Sequence, residues 1–125
     1  MKAETFSKLG LLAAAVVVST LSSQAFAWTC TETIGGEKLE VVVNPSGSGY
    51  SSAVTVNGSN LPQLGPCFVM DRPSTRFVKC AHGRGEVRVE IYPEVETVSG
   101  LLKRMQYVVW KNNQPVSGEF ASCND

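Results

Sequence analysis

Short apolar runs separated by tight turns limit what this chain can fold into more than any other feature of its sequence. From residue 28 onward, runs rich in Val, Thr, Ile and aromatic residues alternate with Gly, Asn, Pro and Ser, which is typical of antiparallel strands. A two-residue turn at Gly35 and Gly36 pairs Cys30 with Val41 and gathers apolar side chains on one face. That face carries Trp28, Cys30, Leu39, Val41 and Val43. The pattern predicts an all-β fold, either a small antiparallel barrel or a two-sheet sandwich of about seven or eight strands.

The stretch FVKCAHGRGE places a cysteine two residues before the only histidine of the chain. A two-residue loop at Gly83 and Arg84 pairs Cys80 with Val87, which points Cys80 inward and puts His82 at the turn. A thiol beside an imidazole is also the raw material of a catalytic dyad. The even cysteine count favours the structural interpretation, a buried cystine half and a turn histidine.

Alternating carboxylates follow this turn: Glu86, Glu90, Glu94 and Glu96. They are typical of a solvated strand face, balanced by Arg84 and Arg88, although an acid and base pair of a small hydrolase is a rival interpretation. The sequence holds no Cys-x-x-Cys or His-x-x-x-His spacing, no nucleophile elbow, no phosphate loop and no dinucleotide fingerprint. We therefore expect no catalytic residue, no metal and no cofactor.

The last hairpin turns at Asn112 and Asn113, which pairs Tyr107 with Gly118. In this register the Tyr107 ring can cover the bare backbone of Gly118. Pro115 lacks a backbone donor and indicates an edge strand.

The segment before that hairpin leaves two interpretations open. A tight turn at Ser99 and Gly100 would direct one face of strand 105–110 to its neighbour, whereas the last hairpin requires the other face. Both hold if this strand is central and covered on both sides, or if Pro93 marks a bulge. A single helical turn around residues 94–103 is the alternative.

The first 27 residues have the pattern of an export signal: two lysines, an apolar run, and Ala25-Phe26-Ala27 before a cleavage point. We expect a single disulfide-stapled β domain at 28–125, in the bacterial periplasm or secreted. With no cysteine near the cleavage point and no later apolar segment of spanning length, we expect no membrane anchor.

All four cysteines lie in the mature part, and an even count in a short exported chain predicts two disulfides. Spacing alone allows three pairings. We favour Cys30 with Cys123, which ties the first strand to the last residues, and Cys67 with Cys80, which staples a short excursion.

Charge argues against one class of partner. Without Lys2, Lys8 and Glu4, the chain keeps nine Lys or Arg and ten Asp or Glu, a net charge of −1. No basic excess is present to neutralise phosphates, so we expect no nucleic-acid partner.

Several residues follow, in order, the pattern of the membrane-bound and periplasmic inhibitors of C-type lysozyme, which are small bacterial β-barrels. The early part is Trp28-Thr29-Cys30, Gly36, Leu39-Glu40-Val41, Val54, Val56, Gly58 and Leu61. The later part is Ser99-Gly100, Tyr107, Trp110, Lys111 and Cys123. The chain resembles this family, but LLKRMQ lengthens the Ser-Gly loop, Asn112-Asn113 replaces a glycine, and 62–92 has no counterpart.

The resemblance implies that the loop at 99–104 and the turn at Lys111 enter the lysozyme cleft, where Ser99 and Lys111 would meet the catalytic carboxylates. The expected partner-binding residues are Ser99, Gly100, Lys103, Arg104, Lys111 and Asn112. We therefore expect an exported, non-catalytic binding domain with a protein partner, in its most concrete form an inhibitor of a lysozyme-like or other extracytoplasmic enzyme. The alternatives are a structural or surface-assembly component of the envelope, with an exposed apolar strand edge, and a small hydrolase.

Overall fold

The structure is a computed structural model that describes residues 27–47 and 49–124, and it contains ten antiparallel strands. The strands are β1 (Trp28–Ile34), β2 (Glu37–Ser46), β3 (Gly49–Val56), β4 (Ser59–Leu61), β5 (Phe68–Asp71), β6 (Thr75–Arg84), β7 (Val87–Glu96), β8 (Leu102–Lys111), β9 (Gln114–Glu119) and β10 (Cys123–Asn124). The export signal predicted at residues 1–27 lies, apart from Ala27, outside the described residues. No helix in the described part of the chain is long and apolar enough to cross a membrane.

The strands form two five-stranded sheets that stack as a sandwich. The first has the order β10-β1-β2-β3-β4 and the second the order β5-β6-β7-β8-β9. Among the described strands none pairs with a strand of the other sheet, so the sheets do not close into a barrel. The predicted all-β fold is confirmed, but the barrel alternative is wrong, and so is the number of strands. The count was too low because β4, β5 and β10 are only two to four residues long and carry little periodicity.

The first hairpin has the predicted register. Cys30 lies opposite Val41 and Ile34 opposite Glu37, with Gly35 and Gly36 both at positive φ. The five side chains assigned to the inward face are all buried: Trp28, Cys30, Leu39, Val41 and Val43. Alternation and a glycine turn were sufficient because a slip of one residue would have exposed the whole apolar set.

The second hairpin corrects the predicted turn. Arg84 pairs with Val87, so the turn consists of Gly85 and Glu86 rather than Gly83 and Arg84. Cys80 therefore lies opposite Ile91 instead of Val87. The turn moves by two residues and the partner of Cys80 by four, and an even shift preserves the inward face, so Cys80 is buried as expected.

Gly83 is required for close packing rather than for the turn. A Cβ at this position would lie 3.1 Å from Leu64 Cδ1 and 3.1 Å from the Val87 carbonyl oxygen. Gly83 thus allows the linker after β4 to pack against β6, while Gly85 adopts the positive φ of the turn. His82 is consequently a strand residue that is 1% exposed, and its predicted place at the turn is wrong.

A bulge between Glu94 and Val95 resolves the conflict around β7 and β8. Before the bulge, Ile91 pairs with Tyr107, so β8 presents the same inward face to both neighbours. The bulge falls one residue after Pro93, and Ser99 and Gly100 belong to a five-residue loop, 97–101. No helix forms over 94–103, because β7 continues as a strand to Glu96. The loop keeps one isolated helical turn, in which the Gly100 N–H donates to the Glu96 carbonyl oxygen at 2.8 Å.

The chain passes between the sheets twice, and a disulfide lies beside each passage. Residues 62–67 lead from β4 to β5, and Cys67 is bonded to Cys80. Residues 120–122 lead back from β9 to β10, where Cys123 is bonded to Cys30. Both predicted pairings are confirmed, and two disulfides are consistent with an extracytoplasmic location.

The last hairpin also has the predicted register, with Tyr107 opposite Gly118 and β9 at the edge of its sheet. The Tyr107 ring covers Gly118 and packs edge-on against Phe120, with 4.9 Å between the ring centroids. A Cβ on Gly118 would lie 2.5 Å from Tyr107 Oη and 2.8 Å from Cζ. The ring therefore occupies the space that any other residue at position 118 would need.

Gly118→Ala is expected to lower the free energy of unfolding by about 1–3 kcal/mol, because the buried Tyr107 ring must leave its packed position. Gly49→Ala is the matched control, since the nearest atom to its added Cβ is 3.9 Å away. Urea unfolding midpoints of the two variants test this. Equal midpoints would show that the ring moves aside without cost.

Candidate functional site

His82 joins the two sheets through both of its ring nitrogens. Its Nδ1 lies 3.0 Å from the Leu61 carbonyl oxygen, and its Nε2 lies 2.7 Å from Ser52 Oγ. A carbonyl oxygen only accepts, so Nδ1 carries the proton and Nε2 accepts from the serine hydroxyl. The imidazole of β6 thereby bonds to β3 and β4 of the opposite sheet.

Ser52 and His82 have the spacing of a nucleophile and its general base, and this pair was missed in the sequence. The surroundings favour structure over chemistry. His82 is 1% exposed, and the next polar neighbour of Ser52 Oγ is the disulfide sulfur of Cys67 at 3.8 Å. His82 is two residues after Cys80 and therefore faces inward with it in a strand. The sequence could have shown this only if the turn had been placed after His82, at Gly85 and Glu86.

Besides His82, Glu90 is the only acidic or basic side chain that is buried among the described residues, and it lies on the outer face of the second sheet. It is 5% exposed, although the sequence predicted a solvated carboxylate. It accepts hydrogen bonds from Arg88 Nη2, from Tyr92 Oη at 2.8 Å and from Trp110 Nε1 at 3.4 Å. Lys79 Nζ lies 3.8 Å away. These partners come from β6, β7 and β8 and cover the carboxylate.

The environment of Glu90 keeps it ionised. Burial alone would raise its pKa, but the hydrogen bonds from Arg88, Tyr92 and Trp110 outweigh burial and lower the pKa. Burial, together with the hydrogen bond to Glu90, raises the pKa of Tyr92 to about 12. A glycosidase general acid needs a raised pKa, so the direction at Glu90 is opposite to the one that this single role requires.

Exposed apolar side chains lie farther along the same face. Phe68 and Met70 on β5 and Phe77 on β6 are 62, 44 and 40% exposed. Met70 pairs directly with Phe77, and Phe68 pairs with the neighbouring Lys79. Side chains of directly opposed residues share a face, so the three apolar groups form one surface, which we call the Phe77 patch.

Cations surround the Phe77 patch. The Arg72 guanidinium carbon lies 5.9 Å from the centroid of the Phe77 ring. Phe77 pairs with Glu94, which pairs in turn with Arg104 on β8. Arg104 Nε and Lys103 Nζ lie 3.3 and 3.6 Å from the Glu94 carboxylate oxygens. Because the Glu94 side chain is 13% exposed and both cations are more than 40% exposed, positive charge faces the solvent.

The loop at 97–101 lies at the same end of the sandwich. The Thr97 amide donates to the Ser74 carbonyl at 3.2 Å, which holds this loop beside the turn between β5 and β6. Ser99 Oγ donates to Glu96 Oε1 at 3.0 Å and accepts from the Leu101 amide at 3.1 Å. With these bonds in place, Val98 is left 96% exposed and Leu101 59% exposed.

A shallow depression of about 610 Å³ lies at the opposite end of the outer face. It is lined by Gly85, Glu86, Arg88, Trp110, Asn112 and Asn113. The turn between β6 and β7 forms one side and the turn between β8 and β9 the other.

The structure divides the expected partner-binding residues into two groups. Ser99, Gly100, Lys103 and Arg104 lie at the N-terminal end of β8, beside the Phe77 patch. Lys111 and Asn112 lie at the C-terminal end of β8. The ten residues of this strand span about 30 Å, far more than the separation of two catalytic carboxylates. Ser99 and Lys111 therefore cannot meet the same pair of carboxylates.

The patch, the depression and the buried Glu90 were not predicted. Each depends on which strands are neighbours, and β5 was not recognised as a strand. Within the described residues no group of three or more His, Cys, Asp or Glu side chains could hold a metal ion.

Comparison with protein-family models, curated proteins and solved structures gives no match. The resemblance to lysozyme inhibitors therefore stays a hypothesis that rests on the residues quoted above.

Stability is expected to fall as the pH drops below about 6.5, because burial lowers the pKa of His82 from that value. The unfolded chain then binds a proton that the folded chain resists, so stability is complete above about pH 6.5 and decreases by up to about 1.4 kcal/mol per pH unit towards the lowered pKa. Urea unfolding between about pH 7 and pH 5.5, above the range where carboxylates titrate, measures this slope.

His82→Gln is the control, because it removes the only histidine of the chain. The variant is expected to be less stable at pH 7 but nearly independent of pH in this window. An equal slope in both proteins would assign the pH dependence to other groups.

Proposed function

We propose that the chain is an exported, non-catalytic binding domain that recognises a protein partner through the Phe77 patch. The observation that carries the proposal is the exposure of Phe68, Met70 and Phe77 side by side, next to arginine. Aromatic residues, Met and Arg are the types enriched in protein interfaces, and exposed apolar patches on small soluble domains mark such sites.

A comparison of the two outer faces supports this choice. The outer face of the first sheet carries polar strand residues, of which Thr31, Thr33 and Lys38 are exposed and Thr29 and Glu40 are half-buried. Each sheet has one face that points away from the core, and large apolar side chains are not exposed on both of these faces alike. Among the described residues, five of the seven large exposed apolar side chains lie at one end of the second sheet, and Leu64 and Val116 lie elsewhere.

The surrounding charge indicates the chemistry of the partner. Arg72, Lys103 and Arg104 border the patch, while the Glu94 carboxylate lies beneath two of them. A partner surface with an apolar centre and an acidic border would match it, and opposite charge would speed the encounter.

An enzyme with carboxylates in its cleft is such a partner. Inhibition of a lysozyme-like enzyme is therefore the most concrete form of the proposal, which we call its lysozyme form. In this form the contact is made by the 97–101 loop with Lys103 and Arg104, together with the patch. Lys111 and Asn112 lie too far away to enter the same cleft.

Self-assembly is the second candidate, because β5 is an edge strand with two exposed apolar side chains. This strand has only four residues, and the cations beside it would face their own copies in a symmetric pair. Sedimentation over a wide range of protein concentration separates the two. A constant monomer mass removes assembly.

The double variant Phe68→Ser/Phe77→Ser is expected to weaken inhibition of a C-type lysozyme at least about tenfold, because it removes the aromatic centre of the contact. Val116→Ser is the matched control, since Val116 is 49% exposed on β9. Enzyme assays with micromolar wild-type and variant protein measure the effect.

Absence of inhibition by the wild type at micromolar concentration removes the lysozyme form. The broader proposal then depends on affinity capture from envelope extracts with the same three proteins. A partner retained by the wild type and by Val116→Ser but not by the double variant is expected. Equal capture by all three would contradict a role for the patch.

A further inference from the structure

We propose that the depression between the two turns, lined by Trp110, Arg88, Asn112 and Asn113, is a binding site for an uncharged saccharide. It lies about 20 Å along β8 from Arg104, because Trp110 is six positions further along the strand. It shares no lining residue with the Phe77 patch. The volume of about 610 Å³ falls within the range of small-ligand sites and can accept one or two sugar rings.

Trp110 supplies the apolar part of the site. It lies directly opposite Arg88 across β7 and β8, and its only polar atom, Nε1, is 3.4 Å from Glu90 Oε1. This bond fixes the indole on the sheet, so little freedom is lost when a ligand contacts it. The C–H faces of a sugar ring are weakly positive, and the π-face of an aromatic ring attracts them.

The polar lining matches hydroxyl groups. A hydroxyl both donates and accepts, and the Asn112 and Asn113 amides do the same. Glu86 accepts only and Arg88 donates only, so the site offers both functions around one indole. An ordinary apolar pocket would lack these groups, and a phosphate site would lack the acceptors.

The two turns are braced against each other. The backbone N–H of Asn112 donates to the backbone carbonyl oxygen of Glu86 at 3.3 Å, which joins the β8–β9 turn to the β6–β7 turn. Asn112 and Asn113 have φ angles of 52° and 65°, in the left-handed region that Asn and Gly tolerate. The side chains of both asparagines are therefore carried on a turn of fixed shape.

Charge favours an uncharged ligand. The Arg88 guanidinium is bound to the buried Glu90 carboxylate, so its charge is already compensated. Glu86 is exposed and adds a negative charge at the border of the depression. An anionic sugar would gain little from Arg88 and would be repelled by Glu86.

The chain carries two tryptophans, which makes the test internally controlled. Trp28 is 4% exposed in the core, so its indole N–H signal reports on the fold, while that of Trp110 reports on the depression. Two-dimensional ¹H–¹⁵N NMR spectra are recorded during titration with the methyl glycosides of glucose, galactose, mannose and N-acetylglucosamine, and with glucuronate. A saturable shift of the Trp110 signal below about 20 mM of at least one neutral glycoside is expected, with little shift of Trp28.

Two variants separate the site from general effects on folding. Asn112→Gly/Asn113→Gly suits the positive φ of the turn and removes both amides, and it is expected to weaken binding about tenfold. Trp110→Phe keeps an aromatic face and is expected to retain binding within about threefold, followed by the backbone N–H signals of the two turns because the indole signal is lost. The double variant Phe68→Ser/Phe77→Ser is expected to bind the glycoside like the wild type, so this proposal and the protein-binding proposal fail independently.

Three results would overturn the proposal. The first is the absence of a Trp110 shift with every neutral glycoside. The second is an equal affinity of the glycine double variant, and the third is a tighter binding of glucuronate than of the neutral glycosides.

Discussion

One buried imidazole bonds the two sheets of this sandwich to each other, and two disulfides fix the ends of the segments that pass between them. The surfaces described above depend on these contacts. Each disulfide lies beside a passage of the chain between the sheets, and His82 bonds the second sheet to β3 and β4 of the first. The closed loops have sequence separations of 93 and 13, which in the chain-entropy description correspond to about 5 and about 3 kcal/mol. Such contributions are large beside the total stability of about 5–15 kcal/mol that is typical of a folded domain.

A rigid frame leaves the outer face of the second sheet free to carry unusual residues. The buried Glu90 accepts hydrogen bonds from three side chains of that face and so orders Arg88, Tyr92 and Trp110. At one end of the face lie the Phe77 patch and the loop at 97–101, and at the other end lies the depression at Trp110. The same sheet thus presents an apolar and basic surface and a polar and aromatic one.

The sequence predicted those parts of the fold in which local and tertiary requirements agree. Gly35-Gly36 and Asn112-Asn113 gave correct registers, because each turn also buries one apolar face. The turn predicted at Gly83 and Arg84 was wrong, because a sequence does not distinguish a glycine needed for the close approach of Leu64 from a turn glycine. The candidate sites were harder to predict from the sequence, because Glu90 is covered by partners from neighbouring strands and Phe68 belongs to a strand of four residues. Contacts of this kind depend on strand order, which periodicity does not contain.

Strand β8 runs unbroken from Arg104 to Trp110, which sets the distance between the two proposed sites. It acts as a spacer of constant length between the two proposed sites. Two weak contacts on a stiff spacer reinforce each other only when the target repeats at a matching distance, since there is no flexible linker to adjust the span. A glycosylated protein or a sugar-bearing envelope surface with that spacing would be held by avidity, and targets with another spacing would be released.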